Sequence, residues 1–217
     1  MMFDFLPKNS EKNHCELLSL AKQGDVNAQY DLGEAYYNGN GVDKDLFEAV
    51  KWYKLAADQG YAPAQHKLGY CYNLGEGIEQ NYDESVRYYR LAADQEYAAA
   101  QNGLGYCYAF GLGVEKNQVK AVELYTLAAE QGFAKAQCNL GICYYNGKGV
   151  TKDIAEAVKW YRKSAEQGDA DAQYMLGYCY NNGLGVTKDY TEAVKWYRKS
   201  AEQGYARAQC TLGYCYE

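Results

Sequence analysis

Residues 133–168 read FAKAQCNLGICYYNGKGVTKDIAEAVKWYRKSAEQG, and residues 169–204 repeat that text with few changes as DADAQYMLGYCYNNGLGVTKDYTEAVKWYRKSAEQG. The pattern extends in both directions. Ala-Gln falls at Ala28-Gln29, Ala64-Gln65, Ala100-Gln101, Ala136-Gln137, Ala172-Gln173 and Ala208-Gln209, every step being 36 residues long without an insertion or deletion. A fixed period of that size marks a stack of supersecondary units, each relying on its neighbours for burial. The phase gives five complete units, 25–60, 61–96, 97–132, 133–168 and 169–204, and a partial one over 205–217. An N-terminal segment, 1–24, carries a lone capping helix near residues 10–23 that resembles the second half of a unit.

Within a unit, Ala136, Leu140 and Tyr144 recur at i, i+4 and i+8, which places them on one stripe of a first helix. Gly141 and its copies lie mid-helix, where glycine costs about 1 kcal/mol against alanine, so close helix packing must compensate. A Gly-x-Gly loop follows, and then a second helix announced by Asp45 with Glu48, Asn81 with Glu84, Asp153 with Glu156 and Asp189 with Glu192 at capping-box spacing. Asn117 keeps the cap but has Lys120 in place of the acid. Ala49, Val50, Tyr53, Ala56 and Ala57 form the second apolar stripe, and Gly60, Gly132, Gly168 and Gly204 end it in a left-handed residue. Glu96 occupies that position in the second unit, which predicts a strained or frayed helix end there.

The succession Ala-Gln, Leu-Gly, Tyr, Gly-x-Gly-Val, Ala-Val, Trp-Tyr and Ala-Glu-Gln-Gly resembles the Sel-one-like repeat family, relatives of the tetratricopeptide repeats, over residues 25–217. The resemblance implies an all-α, right-handed superhelix of antiparallel helix pairs with a concave groove, serving as an adaptor or scaffold for other proteins. A cysteine-rich branch of the family has helix-joining disulfides from cysteines eight residues apart, and a β-lactam-hydrolysing role is attributed to it. That spacing is missing from the eight cysteines of this chain.

Cys71, Cys107, Cys143, Cys179 and Cys215 instead share one column. Stacked helices hold such positions roughly 8–10 Å apart, beyond the ~7 Å reach of a disulfide, so these read as small buried hydrophobes. Paired Cys-x-x-Cys or Cys/His spacing for zinc is also missing. The Gly-x-Gly loops follow helices rather than strands and lack a P-loop lysine, so they read as turns and no cofactor is expected. Trp52, Trp160 and Trp196 share a column with Tyr88 and Leu124, which points to packing. Net charge is −6 and Lys or Arg alternates with Glu along the second helices, which argues against a nucleic-acid partner. The first fifteen residues contain Asp4, Lys8, Glu11 and Lys12 and offer no apolar run for a signal or membrane span, so a cytoplasmic location is the default expectation.

In tetratricopeptide-type superhelices the face of the first helix opposite its core stripe lines the groove. In this chain those columns hold Tyr30, Glu34 and Tyr37; His66, Tyr70 and Asn73; Tyr106 and Phe110; Tyr145; and Tyr174, Tyr178 and Asn181. Tyrosine offers broad contact at small entropic cost and asparagine can pair with an extended backbone, so a peptide or protein segment is the expected partner. The plainer alternative is that these tyrosines pack between neighbouring helices. Catalysis needs a constellation that breaks the repeat, and His14 and His66 lie in different units, so no enzyme activity is expected. A contrasting possibility is end-to-end self-association through Leu212, Cys215 and Tyr216, which have no following helix to cover them.

Overall fold

The structure, a computed structural model, describes residues 14–214. Cys215, Tyr216 and the first four residues of the expected capping helix lie outside that range. Among the described residues every regular element is an α-helix: α1 (His14–Lys22), α2 (Val26–Asn38), α3 (Leu46–Asp58), α4 (Ala62–Leu74), α5 (Tyr82–Ala93), α6 (Ala98–Phe110), α7 (Gln118–Glu130), α8 (Ala134–Asn146), α9 (Ile154–Glu166), α10 (Ala170–Asn182), α11 (Tyr190–Glu202) and α12 (Ala206–Tyr214). Two compact units divide between Gln95 and Glu96. In the first, α2 pairs with α3 and α4 with α5, while α1 packs on α2 and α3 on α4. In the second, α6, α8 and α10 pair with α7, α9 and α11, and α8, α10 and α12 pack on the second helix before them.

The mid-helix glycines explain how tightly each pair closes. A methyl carbon placed on Gly141 would lie 2.6 Å from the Tyr161 ring, and one on Gly33 would lie 2.6 Å from the ring of Tyr53. The same contact joins Gly69 to Tyr89, Gly105 to Tyr125 and Gly177 to Tyr197. Burying one large ring against bare backbone outweighs the propensity cost of the glycine, since burial of such a side chain is worth about 1.5–3 kcal/mol.

The Ala-Gln dipeptide that sets the period is a latch between units. Its alanine is fully buried, and its glutamine is buried in the five complete units, where it accepts a hydrogen bond in each. Gln137 Nε2 donates to the Ala129 carbonyl at 3.1 Å, and its Oε1 accepts from Gln167 Nε2 at 2.8 Å. Gln173 bonds in the same way to Ala165 and Gln203, and in the first compact unit Gln29 bonds to Ala21 and Gln59. A buried amide left unsatisfied costs about 1–3 kcal/mol, so any register other than 36 residues would be penalised at every latch.

The caps differ from expectation in one half. The side chains of Asp45, Asn81, Asn117, Asp153 and Asp189 do accept from the first turn of the second helix. The reciprocal half of the capping box is taken by another group, because the cap N–H donates to the stripe tyrosine's carbonyl, as from Asp153 to Tyr144 at 3.0 Å and from Asn117 to Tyr108 at 2.8 Å. The glutamate is therefore released to pair along the helix surface, Glu84 with Arg87 and Glu156 with Lys159. This is why Lys120 can stand in the third unit without loss of the cap.

Glu96 has a φ of 60°, the left-handed conformation that glycine supplies at Gly60 with φ 87°, and among the described residues it alone adopts this without being glycine. The end at Glu96 is thus strained, and α5 stops one residue shorter than the other second helices of complete units. In the loops, Gly149 (φ 72°) has a second constraint, since a methyl carbon there would sit 2.1 Å from the Gln118 carbonyl oxygen.

Candidate functional site

The columns expected to form a binding face lie on α2, α4, α6, α8 and α10, and the structure sorts their members by accessibility. Tyr70, Tyr106, Phe110 and Tyr178 are exposed, Phe110 most of all at 62 %. Tyr30, Glu34, Tyr37, His66, Tyr145, Tyr174 and Asn181 are half-buried. Asn73 is buried, and its carbonyl accepts from Gln80 Nε2 at 2.7 Å. Asn73 is thus the least accessible of these residues.

The half-buried tyrosines pack on the second-helix tyrosine of their own pair. Tyr30 lies 6.0 Å from Tyr53 and 5.4 Å from Tyr61, ring centre to ring centre, and Tyr174 lies 5.6 Å from Tyr197 and 5.4 Å from Tyr205. The floor of the face is therefore the tyrosine that also covers the mid-helix glycine. Tyr53, fully buried, donates to Glu34 at 2.6 Å, and Lys67 pairs with the same carboxylate at 2.9 Å. Burial, then Glu34, push the Tyr53 hydroxyl far above its ordinary range. Burial followed by the Lys67 charge lowers the pKa of His66 to about 4, which keeps that imidazole neutral beside the Tyr89 ring. Burial, then the adjacent Tyr178, raise the Tyr145 pKa.

In the second compact unit the face opens. Tyr106 and Phe110 stand with ring centres 4.5 Å apart beside a cavity of about 210 Å³ between α6, α7 and α8. Tyr125, Ile142 and Cys143 contribute apolar lining, and Lys116 and Lys148 contribute the charged groups of the lining. Sequence reading missed the lysines because they lie in the Gly-x-Gly loops, outside the first-helix columns.

The cysteine column is buried as free thiols at Cys71, Cys107, Cys143 and Cys179. Burial pushes Cys71 and Cys179 up to about 12 and Cys143 to about 11, so they remain protonated packing groups at neutral pH. The tryptophan column packs as well. Trp160 and Trp196 bury their indole N–H groups without a hydrogen-bond partner, and Lys163 and Lys199 cover the rings at 4.0 and 4.6 Å. Among the described residues, no cluster of three or more His, Cys, Asp or Glu side chains could hold a metal ion, and no helix is long and apolar enough to cross a membrane.

The repeated latch, glycine contact and helix pair match a known sequence model, that of the Sel1 repeat, over 26–61, 62–97, 98–133, 134–169, 170–205 and 206–217. The chain belongs to the Sel1 repeat family. Among solved structures it is similar to a Sel1 repeat protein from Oxalobacter formigenes, at 36 % identity and a TM-score of 0.82 over 96 % of this chain and 89 % of that one. It is also similar to a protective antigen of uropathogenic Escherichia coli with an SLR fold, at 41 % identity and a TM-score of 0.81. That alignment covers 93 % of this chain but only 43 % of the antigen, so the chain spans less than half of that relative's length. Cysteine-rich protein B of Helicobacter pylori aligns at 27 % identity and a TM-score of 0.50, over 61 % of this chain and 96 % of its own. No curated protein matches. Sel1 repeats form all-helical solenoids and generally act as scaffolds for protein interaction, typically without catalysis.

Proposed function

We propose that this Sel1 repeat array is a scaffold that captures a peptide or protein segment on the exposed face of its first helices. The exposed aromatic pair Tyr106 and Phe110, set beside a cavity, carries this reading. Large apolar rings left in water at the mouth of a concavity are what a protein interface uses as anchors. The solvent side of the second helices also exposes apolar residues such as Phe47 and Leu127, but it intersperses them with Glu–Lys and Glu–Arg pairs three residues apart, such as Glu84–Arg87 and Glu192–Lys195, which favour solvation. Because the helix stack holds the rings in place before binding, little ordering entropy is lost on association.

Capture of partners from the source proteome tests this, with wild type and Tyr70→Ala/Tyr106→Ala as baits. Proteins lost from the double variant alone support the face. Recovery of one and the same set by both baits refutes it.

A further inference from the structure

The first repeat shows what the cavity of the third repeat is shaped to hold. Tyr37 of α2 inserts its ring against Tyr53, with centres 6.4 Å apart, and Lys67 and Lys44 lie over that ring at 5.2 and 5.8 Å. Its hydroxyl donates to Glu76 at 2.5 Å. Two periods later, the column of Tyr37 holds Ala109, that of Tyr53 holds Tyr125, and those of Lys44, Lys67 and Glu76 hold Lys116, Asn139 and Lys148. All five of these later residues line the 210 Å³ cavity. The cavity is thus the place that Tyr37 fills with its own ring, left vacant because the chain carries alanine there. An apolar cavity of about 150 Å³ suffices for a benzene ring, so an aromatic side chain fits.

The substitution at the tip changes what must accompany the ring. In the first repeat Glu76 accepts a hydroxyl proton, whereas Lys148 can only donate and is cationic. Neither Lys148 nor Lys116 makes an ion pair with the described residues, whereas Lys51, Lys159 and Lys195 of the second helices each pair with a glutamate. No carboxylate lines the cavity. Two lysines without an ion-pair partner in the lining of a largely apolar cavity are complementary to an anion next to the ring.

We infer that this pocket receives an aromatic side chain of a partner segment whose adjacent residue is Asp or Glu, with the ring in the vacancy at Ala109 and the carboxylate on Lys116 and Lys148. This rests on the first-helix face being the peptide-binding face, and it names the chemistry read there.

The test uses the full chain with methyl-labelled isoleucine and alanine, and three capped pentapeptides: Ser-Phe-Glu-Glu-Ser, Ser-Phe-Lys-Lys-Ser and Ser-Ala-Glu-Glu-Ser. The acidic phenylalanine peptide should shift the Ile142 and Ala109 methyl signals and bind at least tenfold more tightly than either of the others. Lys148→Glu should erase the charge preference, since Lys116 is then offset by an equal negative charge in the lining. Ala109→Tyr should abolish binding without lowering the thermal midpoint, because the new ring fills the vacancy as Tyr37 does. Equal affinity for both phenylalanine peptides, or binding that survives Ala109→Tyr, overturns the proposal. A partner whose capture needs Tyr174 and Tyr178 yet tolerates both pocket variants would also overturn it, while leaving the wider face intact.

Discussion

The tyrosine that floors each helix pair is one residue type in two electrostatic settings. Tyr53 donates to Glu34, but Tyr161, one of its copies, has Ile142 where Glu34 would stand, and its hydroxyl is buried without a partner. Tyr53→Phe should therefore lower the unfolding free energy by about 1–2 kcal/mol, whereas Tyr161→Phe should leave it unchanged or raise it, as urea titration of both variants will read. A second residue-scale consequence concerns His66. Its pKa falls from 6.5 to about 4 on folding, chiefly through burial. Above pH 6.5 the ring is neutral in both states. Between 6.5 and about 4 the unfolded chain binds a proton that the folded chain refuses, so stability declines as pH falls through that window. From pH 7 to 4.5, wild type should lose about 2 kcal/mol more than His66→Gln, measured by denaturant unfolding at each pH.

At the scale of the helix, the cap and the glutamate three residues after it separate into independent devices. Asp153 holds the N–H of Glu156 at 2.9 Å, while the Glu156 side chain pairs with Lys159 in the open. Asp153→Ala should cost about 1 kcal/mol in thermal or chemical denaturation, and Glu156→Ala only a few tenths. Equal losses would mean that the box closes after all. The cap residues, the Gly-x-Gly turns and the strained stop at Glu96 were all legible in the sequence, because each depends on the chemistry of one position. The destination of the cap N–H was not, since the Tyr144 carbonyl that accepts it is a backbone group and leaves no mark on residue choice. The burial of Asn73 was not legible for a related reason: helical phase puts it on the outward face, and its low exposure depends on neighbours that its own letter does not name.

For the molecule as a whole, periodicity made the architecture legible and hid the site. A column repeated along the chain announces packing: the Ala-Gln latch and the glycine contact serve burial in each of the five complete units, and the thiol row does so at Cys71, Cys107, Cys143 and Cys179. Function resides where copies differ, as at Ala109 among tyrosine and asparagine, or Lys148 opposite Glu76. Those departures are visible in the letters but gain meaning only when a cavity shows which side chain is absent. Site-specific photo-crosslinking of a captured partner decides whether the first helices bind. With benzophenone in place of Tyr106, Tyr178 or the second-helix residue Leu127, which is also exposed, adducts should form at Tyr106 and Tyr178 and fail at Leu127. Adducts at Leu127 with none at the two first-helix positions would put the binding face on the other side of the array and contradict the function proposed.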